Sequence, residues 1–580
     1  MMYVIVSLVL TGVYALISYN KENKALTIWT SIAMFIVLGL INYFSMPVLN
    51  LWGYYGLWWE LLFVTVCACL TACCEKDTYG VDWDSEGRAW RWFIPLGVAV
   101  IMFIASISSS TAFHVRDYNN KLVVEEVSFD NFSSDVDIIP VEKMIVGDDT
   151  LARKVVEDRL EEDPGLGSRC KVGRMTMQQL SGEFTIDGGK KLSFDNDVIW
   201  IAPLEHDGFW KWAANRETPG YMLVYANDPT GRTYKVTEVN GKPLKLRYIE
   251  SGCFGDDITR RIRTSGYATQ GITDFNLEID EQGRPYWVLC NHQPTIGFGG
   301  ARDAKGVITV DAQTGEVEQY SIADAPAWID HIQPKKFVTN QIRWWGELKH
   351  SWWNSWIAQK DVQEPTPGMI LVYSNGRCYW YTGIQSAGGD TATSGFMLID
   401  ARTKEARYYR VSGVNEVEAE RIAEDEKFAK DANYNATAPV LYNIRGVPTY
   451  FMTLKGSSGN ITGYAFMSVV KRDVVGSGSS KREAENNYLQ ALKRSGNDSI
   501  MDGAVLVVEA RKLTVRDITC EQGTYYVLFV EIPGKEFTGS TEFFRELKWT
   551  KSGDKVEVTY GEGHADVIPL DSFDNLGFTF

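Results

Sequence analysis

The chain has 580 residues, 45% hydrophobic and 23% charged, with 58 Lys and Arg against 74 Asp and Glu and a net charge of −16. The first 112 residues hold only 5 of the basic and 7 of the acidic side chains, which leaves −14 beyond them. That balance argues against a nucleic-acid partner, which needs a basic face to displace counterions, and against general adhesion to anionic lipid.

Four apolar segments open the chain, at residues 3–19, 26–44, 57–74 and 92–113. Each approaches the ~20 residues a helix needs to cross a bilayer. The first has neither a basic start nor a small-residue cleavage site, so it reads as a span rather than a leader. Sidedness follows the basic residues in short flanks. Lys21, Lys24, Lys76, Arg88 and Arg91 lie on one side against Arg116 and Lys121 on the other, which places the large C-terminal part outside the cytoplasm. In the third segment Trp58, Trp59 and Glu60 have two readings. With Tyr54 and Tyr55 the tryptophans form an aromatic belt at the outer interface, Glu60 beside them. Alternatively Glu60 is an intramembrane acid of the kind found in proton relays. The belt is preferred, because no polar partner for the acid stands out in the other spans.

Nine cysteines divide into Cys67, Cys69, Cys73 and Cys74 in the third apolar run, and Cys170, Cys253, Cys290, Cys378 and Cys520 beyond it. The five outer ones form no Cys-x-x-Cys pair, so buried free thiols are expected rather than a zinc site or a full disulfide framework.

Beyond a helix expected at 148–162, the outer part repeats itself. Gly283-Arg-Pro-Tyr286-Trp287 leads to Gly306-Val-Ile-Thr-Val-Asp311-Ala-Gln-Thr314-Gly-Glu316. Gly376-Arg-Cys-Tyr379-Trp380 leads, 93 residues on, to Gly395-Phe-Met-Leu-Ile-Asp400-Ala-Arg-Thr403-Lys-Glu405. A decayed earlier copy runs from Trp200 to Gly220-Tyr-Met-Leu-Val-Tyr225 and Gly231, and a later one from Phe451 to Gly463-Tyr-Ala-Phe. Self-similarity at this scale means one supersecondary unit copied and stacked. Within a unit, alternating apolar residues give strands, and Asp-x-x-Thr-Gly gives a turn whose carboxylate accepts local backbone hydrogens. The Asp311/Glu316 and Asp400/Glu405 pairs also suggest calcium or acid–base chemistry. Turn chemistry suffices, since the decayed copy has Tyr225 and Arg232 there. Helices at 417–432 and 481–493, the latter with Ala484, Tyr488, Leu489 and Leu492 on one face, are expected to cover the sheets.

An aromatic helix is expected over 342–356, with Ile342, Trp345, Leu348, Trp352 and Trp356 on one face. Trp344 and Trp353 lie off that stripe, available to a partner or to the outer leaflet. The last 80 residues read as strands at 503–509, 512–519, 524–531 and 555–560 with a short helix near 542–547, a small barrel of the OB or SH3 kind.

Catalytic motifs are thin. The six histidines are scattered, no zinc-helix, nucleophile-elbow or phosphate-loop sequence occurs, and Gly476-Ser-Gly478-Ser-Ser-Lys481 reads as a turn before a helix. Glu205-His206-Asp207 is the one local acid–base cluster, with side chains that alternate apart in a strand.

Ala202-Pro203-Leu204-Glu205-His206 with Phe209-Trp210-Lys211-Trp212, Pro326-Ala-Trp328-Ile-Asp330, and Trp344-Trp345-Gly346 with Trp352-Trp353-Asn354-Ser355 resemble hallmarks of a widespread family of bacterial multi-pass membrane proteins. The strand–strand–Asp-x-x-Thr-Gly-Glu cadence is also similar to PepSY-type modules, found in envelope proteins and protease propeptides. That resemblance implies binding or inhibition rather than catalysis. Lys404 departs from the pattern where glycine is usual.

The expected architecture is α-helical plus α+β. A four-helix transmembrane domain (1–113) leads to an α+β connector (114–190), then PepSY-like repeats (191–280, 281–362, 363–440, 441–498) and a β-barrel (499–580). The expected role is a non-catalytic binding or scaffold protein of the bacterial plasma membrane. Trp344, Trp345, Trp352, Trp353 and Trp356 would meet an envelope protein or wall component, while Trp58, Trp59 and Glu60 lie in or at the bilayer. No cofactor, metal or nucleic acid is expected. The alternative is a transporter or sensor using Glu60, gated by the outer domain.

Overall fold

Uniformly apolar sequence makes helices that cannot present a polar face, and the first part of the chain forms four of them. They are α1 (Met2–Ser18), α2 (Lys24–Ser45), α3 (Gly56–Cys74) and α4 (Phe93–Ser108). The computed structural model describes residues 1–19, 24–74, 89–146, 148–228, 230–354, 357, 360–374, 376–386, 392–457, 459–495, 511–521, 524–540, 544–560 and 567–577. Both basic loops used for sidedness lie largely outside these. α2 and the stretch 90–108 are long and apolar enough to cross a membrane, while α1 and α3 are apolar but shorter. Tyr14, Leu38, Val64 and Ala68 pack α1, α2 and α3 together. Leu8, Ile28, Trp29, Phe44, Phe103 and Ile104 face outward, largely exposed.

A large mixed α/β region with several antiparallel sheets follows, in the same compact unit, Met1–Gly496. Four antiparallel meanders carry the repeat. The first runs through Thr176–Ile186, Lys190–His206, Tyr221–Tyr225 and Thr233–Val236. The second has Gly271–Ile279, Pro285–Ile296, Gly300–Asp311 and Val317–Ser321. The third has Ile370–Ser374, Arg377–Ser386, Ala392–Asp400 and Ala406–Tyr409. The fourth has Val440–Ile444, Val447–Lys455, Ile461–Ser468 and Val475–Gly478. The first hairpin straddles residue 190, where the sequence suggested a boundary. Val124–Val127 of the connector adds a parallel strand to the third meander, beside Ala406–Tyr409.

One glycine explains why the motif recurs. A methyl group on Gly220, Gly306, Gly395 or Gly463 would lie 2.0, 2.0, 2.4 or 2.9 Å from the carbonyl oxygen of Val236, Tyr320, Tyr409 or Gly478 in the fourth strand. In each unit the third strand enters under that carbonyl, and a Cβ does not fit. Cross-strand register aligns the copies. Trp200 faces Val224, Trp287 faces Val310 and Trp380 faces Ile399, each partner four residues after its glycine. In the last copy the residue in that register is Tyr450, opposite Met467, rather than Phe451. The one-residue difference puts the true equivalent on the other face of the strand. Tyr450 is fully buried and its hydroxyl lies 2.9 Å from that of Tyr381.

The turns match atom by atom. Asp311 Oδ1 accepts from the Gln313 and Thr314 amides at 2.8 and 2.9 Å, and Asp400 Oδ1 from Arg402 and Thr403 at 2.9 and 2.7 Å. Gly315 and Lys404 both sit at φ +70°. A lysine there is strained by roughly 1 kcal/mol, and its ammonium is held 2.7 Å from Asp303.

The first two meanders share a core through Ile199, Leu223, Leu277, Trp287 and Ile308. The third and fourth share another, capped by Ala419, Ala423 and Ala429 from helices Glu416–Asp425 and Lys427–Ala432. Helix Lys481–Arg494 buries Ala484, Tyr488, Leu489 and Leu492, the stripe read from the sequence. Gly476 lets it approach, since a Cβ there would be 2.0 Å from the Tyr488 nitrogen, so the glycine–serine run is a packing device. In the second unit, Arg511–Glu521, Thr524–Phe529, Glu536–Ser540, Val567–Asn575 and Lys555–Tyr560 close a barrel around Val515, Val527, Phe537 and Val556. The strand expected at 503–509 lies outside the described residues.

Candidate functional site

The second meander stands on the helices. Its far end meets the 46–55 loop between α2 and α3. The Leu49 amide donates to Ala268 O at 2.8 Å, Tyr54 Oη to His292 O at 2.8 Å, and Tyr55 and Trp58 lie 5.1 and 6.2 Å from the Phe298 ring. Gly299 N donates to Ser109 Oγ at the end of α4 at 2.9 Å. His292 is buried here without a partner for Nδ1, and burial, with Arg302 and Arg263 nearby, pushes its pKa down to about 4.

Beneath this seam lies Glu60, in the first turns of α3. It is 6% exposed and turned into the bundle, where Asn42 Nδ2 donates to its Oε2 at 3.2 Å and to Ser7 Oγ at 3.3 Å. Three helices thus meet in one polar cluster. The partners that the sequence reading did not find are Asn42 and Ser7. Asn42 was readable as an amide inside an apolar span, a costly placement that implies a partner. Glu60 Oε1 and Asn42 Oδ1 have no hydrogen-bond partner. Trp59 is 61% exposed on the bundle surface, whereas Trp58 Nε1 donates to Leu51 O at 2.8 Å.

A cavity of about 240 Å³ adjoins the cluster. Tyr3, Ser7, Asn42 and Tyr43 line it from α1 and α2, and Arg260 and Arg263 border it from the outer part. Arg260 belongs to the turn Ile258–Ile262, which starts where Asp257 caps the Arg260 amide at 2.7 Å. Burial draws the Arg263 pKa below the usual guanidinium value. Nothing in the sequence reading singled out these arginines, because what makes them distinctive is contact with helices over 200 residues away.

Among the described residues, Trp344, Trp345, Trp352 and Trp353 do not share one helix. Helix Lys335–Glu347 ends at Leu348, and Ser351 Oγ accepts from the Asn354 amide at 3.0 Å, starting a separate turn. Trp344, expected off the buried stripe, packs 4.6 Å from the Tyr118 ring, and Trp345 lies 5.5 Å from Tyr408. Trp352 is half-buried against Trp353 at 4.9 Å, and Trp353 is 64% exposed. Trp356 lies outside the described residues. A different aromatic group is exposed near the helices: Phe209, Trp210 and Phe254, with Phe254 6.4 Å from Tyr43 at the end of α2.

The segment Pro326–Asp330 is a strap. Gln178 Nε2 donates to Ile279 O and Trp328 O at 2.9 and 2.8 Å, and Arg402 Nη2 to Ala325 O at 2.9 Å. The Asp330 amide donates to Glu278 at 3.0 Å, while its carboxylate accepts from the Gln179 amide at 2.5 Å. His331 Nδ1 stands 3.9 Å from Glu278 Oε1, both otherwise unpartnered. Burial pushes Asp330 up to about 7, holds Glu278 well above the carboxylate range and lowers His331. Elsewhere, burial and the Glu250 carboxylate push Glu205 up to about 7, and burial lowers His206. Cys170, Cys290 and Cys378 are buried free thiols, whereas Cys253 is partly exposed and Cys520 exposed. Among the described residues no cluster of three metal-ligating side chains occurs.

No protein-family model and no curated protein matches the sequence. Among solved structures, a Trypanosoma rangeli sialidase in complex with 2,3-difluorosialic acid is similar at 10% identity over 70% of this chain, with a TM-score of 0.15. The match spans 60% of that protein's length, and a likeness this loose carries no argument about fold or activity.

Proposed function

We propose that the chain is a non-catalytic, membrane-anchored binding protein of the bacterial envelope. All four apolar helices span the plasma membrane, PepSY-like repeats stand outside the cytoplasm, and the terminal barrel is of the OB or SH3 kind. The observation that carries this reading is the junction: an apolar bundle with outward-facing Leu, Ile and Phe supports a repeat array, and the two together line an open-sided cavity. Outward apolar surface on this scale is what lipid covers. At ~1.5 Å per residue, α1 reaches roughly 26 Å, close to the ~30 Å hydrocarbon layer. Purification of the full chain from detergent-solubilised membranes, with mass spectrometry of everything retained, tests it. A stoichiometric protein, wall fragment or small molecule supports binding; a chain that leaves the membrane fraction without detergent contradicts it.

A second reading, a transporter or sensor using Glu60, is favoured by the Glu60–Asn42–Ser7 cluster inside the bundle. Proteoliposomes with a pH dye inside test it. Proton-coupled flux that Glu60→Gln abolishes supports transport, and equal flux with and without protein removes it.

A further inference from the structure

The roof of the junction cavity is lined by two guanidinium groups, with no acid among the lining residues, although Asp257 stands beside Arg260 and Glu60 lies near the floor. Arg263 is 7% exposed; its Nη1 donates to Tyr267 O at 3.0 Å and to Gln270 O, and its Nε is buried without a partner. Arg260 lies 3.8 Å over the Tyr43 ring and donates from Nη2 to Tyr43 O at 3.2 Å, and its Nε is also buried and unpartnered. Neither forms an ion pair with a described carboxylate. Arg260 is half-buried and feels the Asp257 carboxylate, but Arg263 is a buried cation without a carboxylate partner, which is strongly unfavourable, so the site is complementary to an anion. The walls below are mainly apolar: besides Ser7 and Asn42, Val4, Phe35 and Gly39 line the cavity, and Val4 is 53% exposed on the bundle surface. Phe209 and Trp210, 46% and 81% exposed, extend from the outer part near the end of α2, where aromatic rings favour a membrane interface.

We propose that this cavity holds one anionic phospholipid, its phosphate at Arg260 and Arg263 and an acyl chain along Gly39 between α1 and α2. The proposal rests on the reading that these helices lie in a membrane. The chain's net charge of −16 gives no general attraction to such lipids, so recognition is local to the two arginines. Phosphate takes the guanidinium fork geometry readily, and the apolar floor rejects a free ion's hydration.

The test is native mass spectrometry of the full chain, delipidated in detergent and offered phosphatidylglycerol, phosphatidylcholine or inorganic phosphate. One phosphatidylglycerol per chain is expected, held about tenfold or more over phosphatidylcholine, as charged hydrogen bonds allow. Arg263→Gln lowers that retention by a similar factor. Gly39→Phe, at a lining position where an added Cβ meets no atom within 4 Å, blocks the chain path without replacing either arginine and gives the same loss. Equal retention of both lipids, retention unaffected by both variants, or inorganic phosphate competing as well as the lipid would overturn the proposal. A chain that fractionates with membranes yet holds no lipid sinks this proposal alone; a chain that never enters the membrane fraction sinks the anchoring reading as well.

Discussion

Asn42 and Glu60, on neighbouring apolar helices, share a single hydrogen bond of 3.2 Å, and each keeps one oxygen without a partner. Asn42→Leu strands the acid, with an expected loss of about 1–2 kcal/mol in the detergent-solubilised chain. Glu60→Gln keeps an acceptor and costs less. Thermal melts followed by tryptophan fluorescence order the two, and a Glu60→Gln loss equal to that of Asn42→Leu would show that the contact is not formed.

Gly306 and Gly395 are required by close approach rather than by chain flexibility. Gly306→Ala and Gly395→Ala each place a methyl group against the Tyr320 or Tyr409 carbonyl. A destabilisation of about 1–3 kcal/mol is expected at each. Gly255→Ala, where a Cβ meets open space, is the control and changes the denaturation midpoint little.

Asp330 and Glu278 are held neutral by burial, so their folded pKa values lie above the unfolded values near 4. The stability they contribute is complete below about pH 4 and is lost as the pH rises through the folded value, about 7 for Asp330. His331 acts the other way: its lowered pKa contributes stability above about pH 6.5 that is lost as the pH falls. Asp330→Asn keeps the acceptor for Gln179 and removes the alkaline loss. The variant is expected to melt above wild type at pH 8, with the gap closing by pH 4. A constant gap across that range would contradict neutral burial.

What the sequence could and could not reveal follows range of interaction. The four apolar helices, the 148–162 helix, the Tyr488 stripe and the Asp311 and Asp400 turns depend on neighbours in the chain, and periodicity reports them directly. Asp148 caps its helix at the Leu151 amide, 2.9 Å, as its sequence signal implied. The Tyr450 register was misread by one residue because it is set by cross-strand pairing with Met467. The 342–356 helix was overextended because apolar spacing continues past Glu347 while Ser351 restarts the chain. The strands at Glu536–Ser540 and Val567–Asn575 lack a strong alternating pattern and exist through barrel closure. The cavity was invisible, since its two halves, α1–α2 and 260–264, meet only in the folded chain.

Trp344 and Trp353 should separate packing from recognition. Trp344→Ala removes the ring on Tyr118 and is expected to cost about 2–3 kcal/mol. Trp353, 64% exposed, should leave the melting temperature within about 0.5 kcal/mol equivalents when changed to Ala. Any loss of partner capture in Trp353→Ala is then a surface effect, and a large stability loss there would contradict its exposure.

Protease protection addresses the anchoring claim most directly. Trypsin added to intact spheroplasts is expected to cut the chain beyond Phe113 and leave a membrane-bound helical fragment, while inverted vesicles protect the same region. Cleavage beyond Phe113 in the inverted vesicles and protection in the spheroplasts would contradict the account.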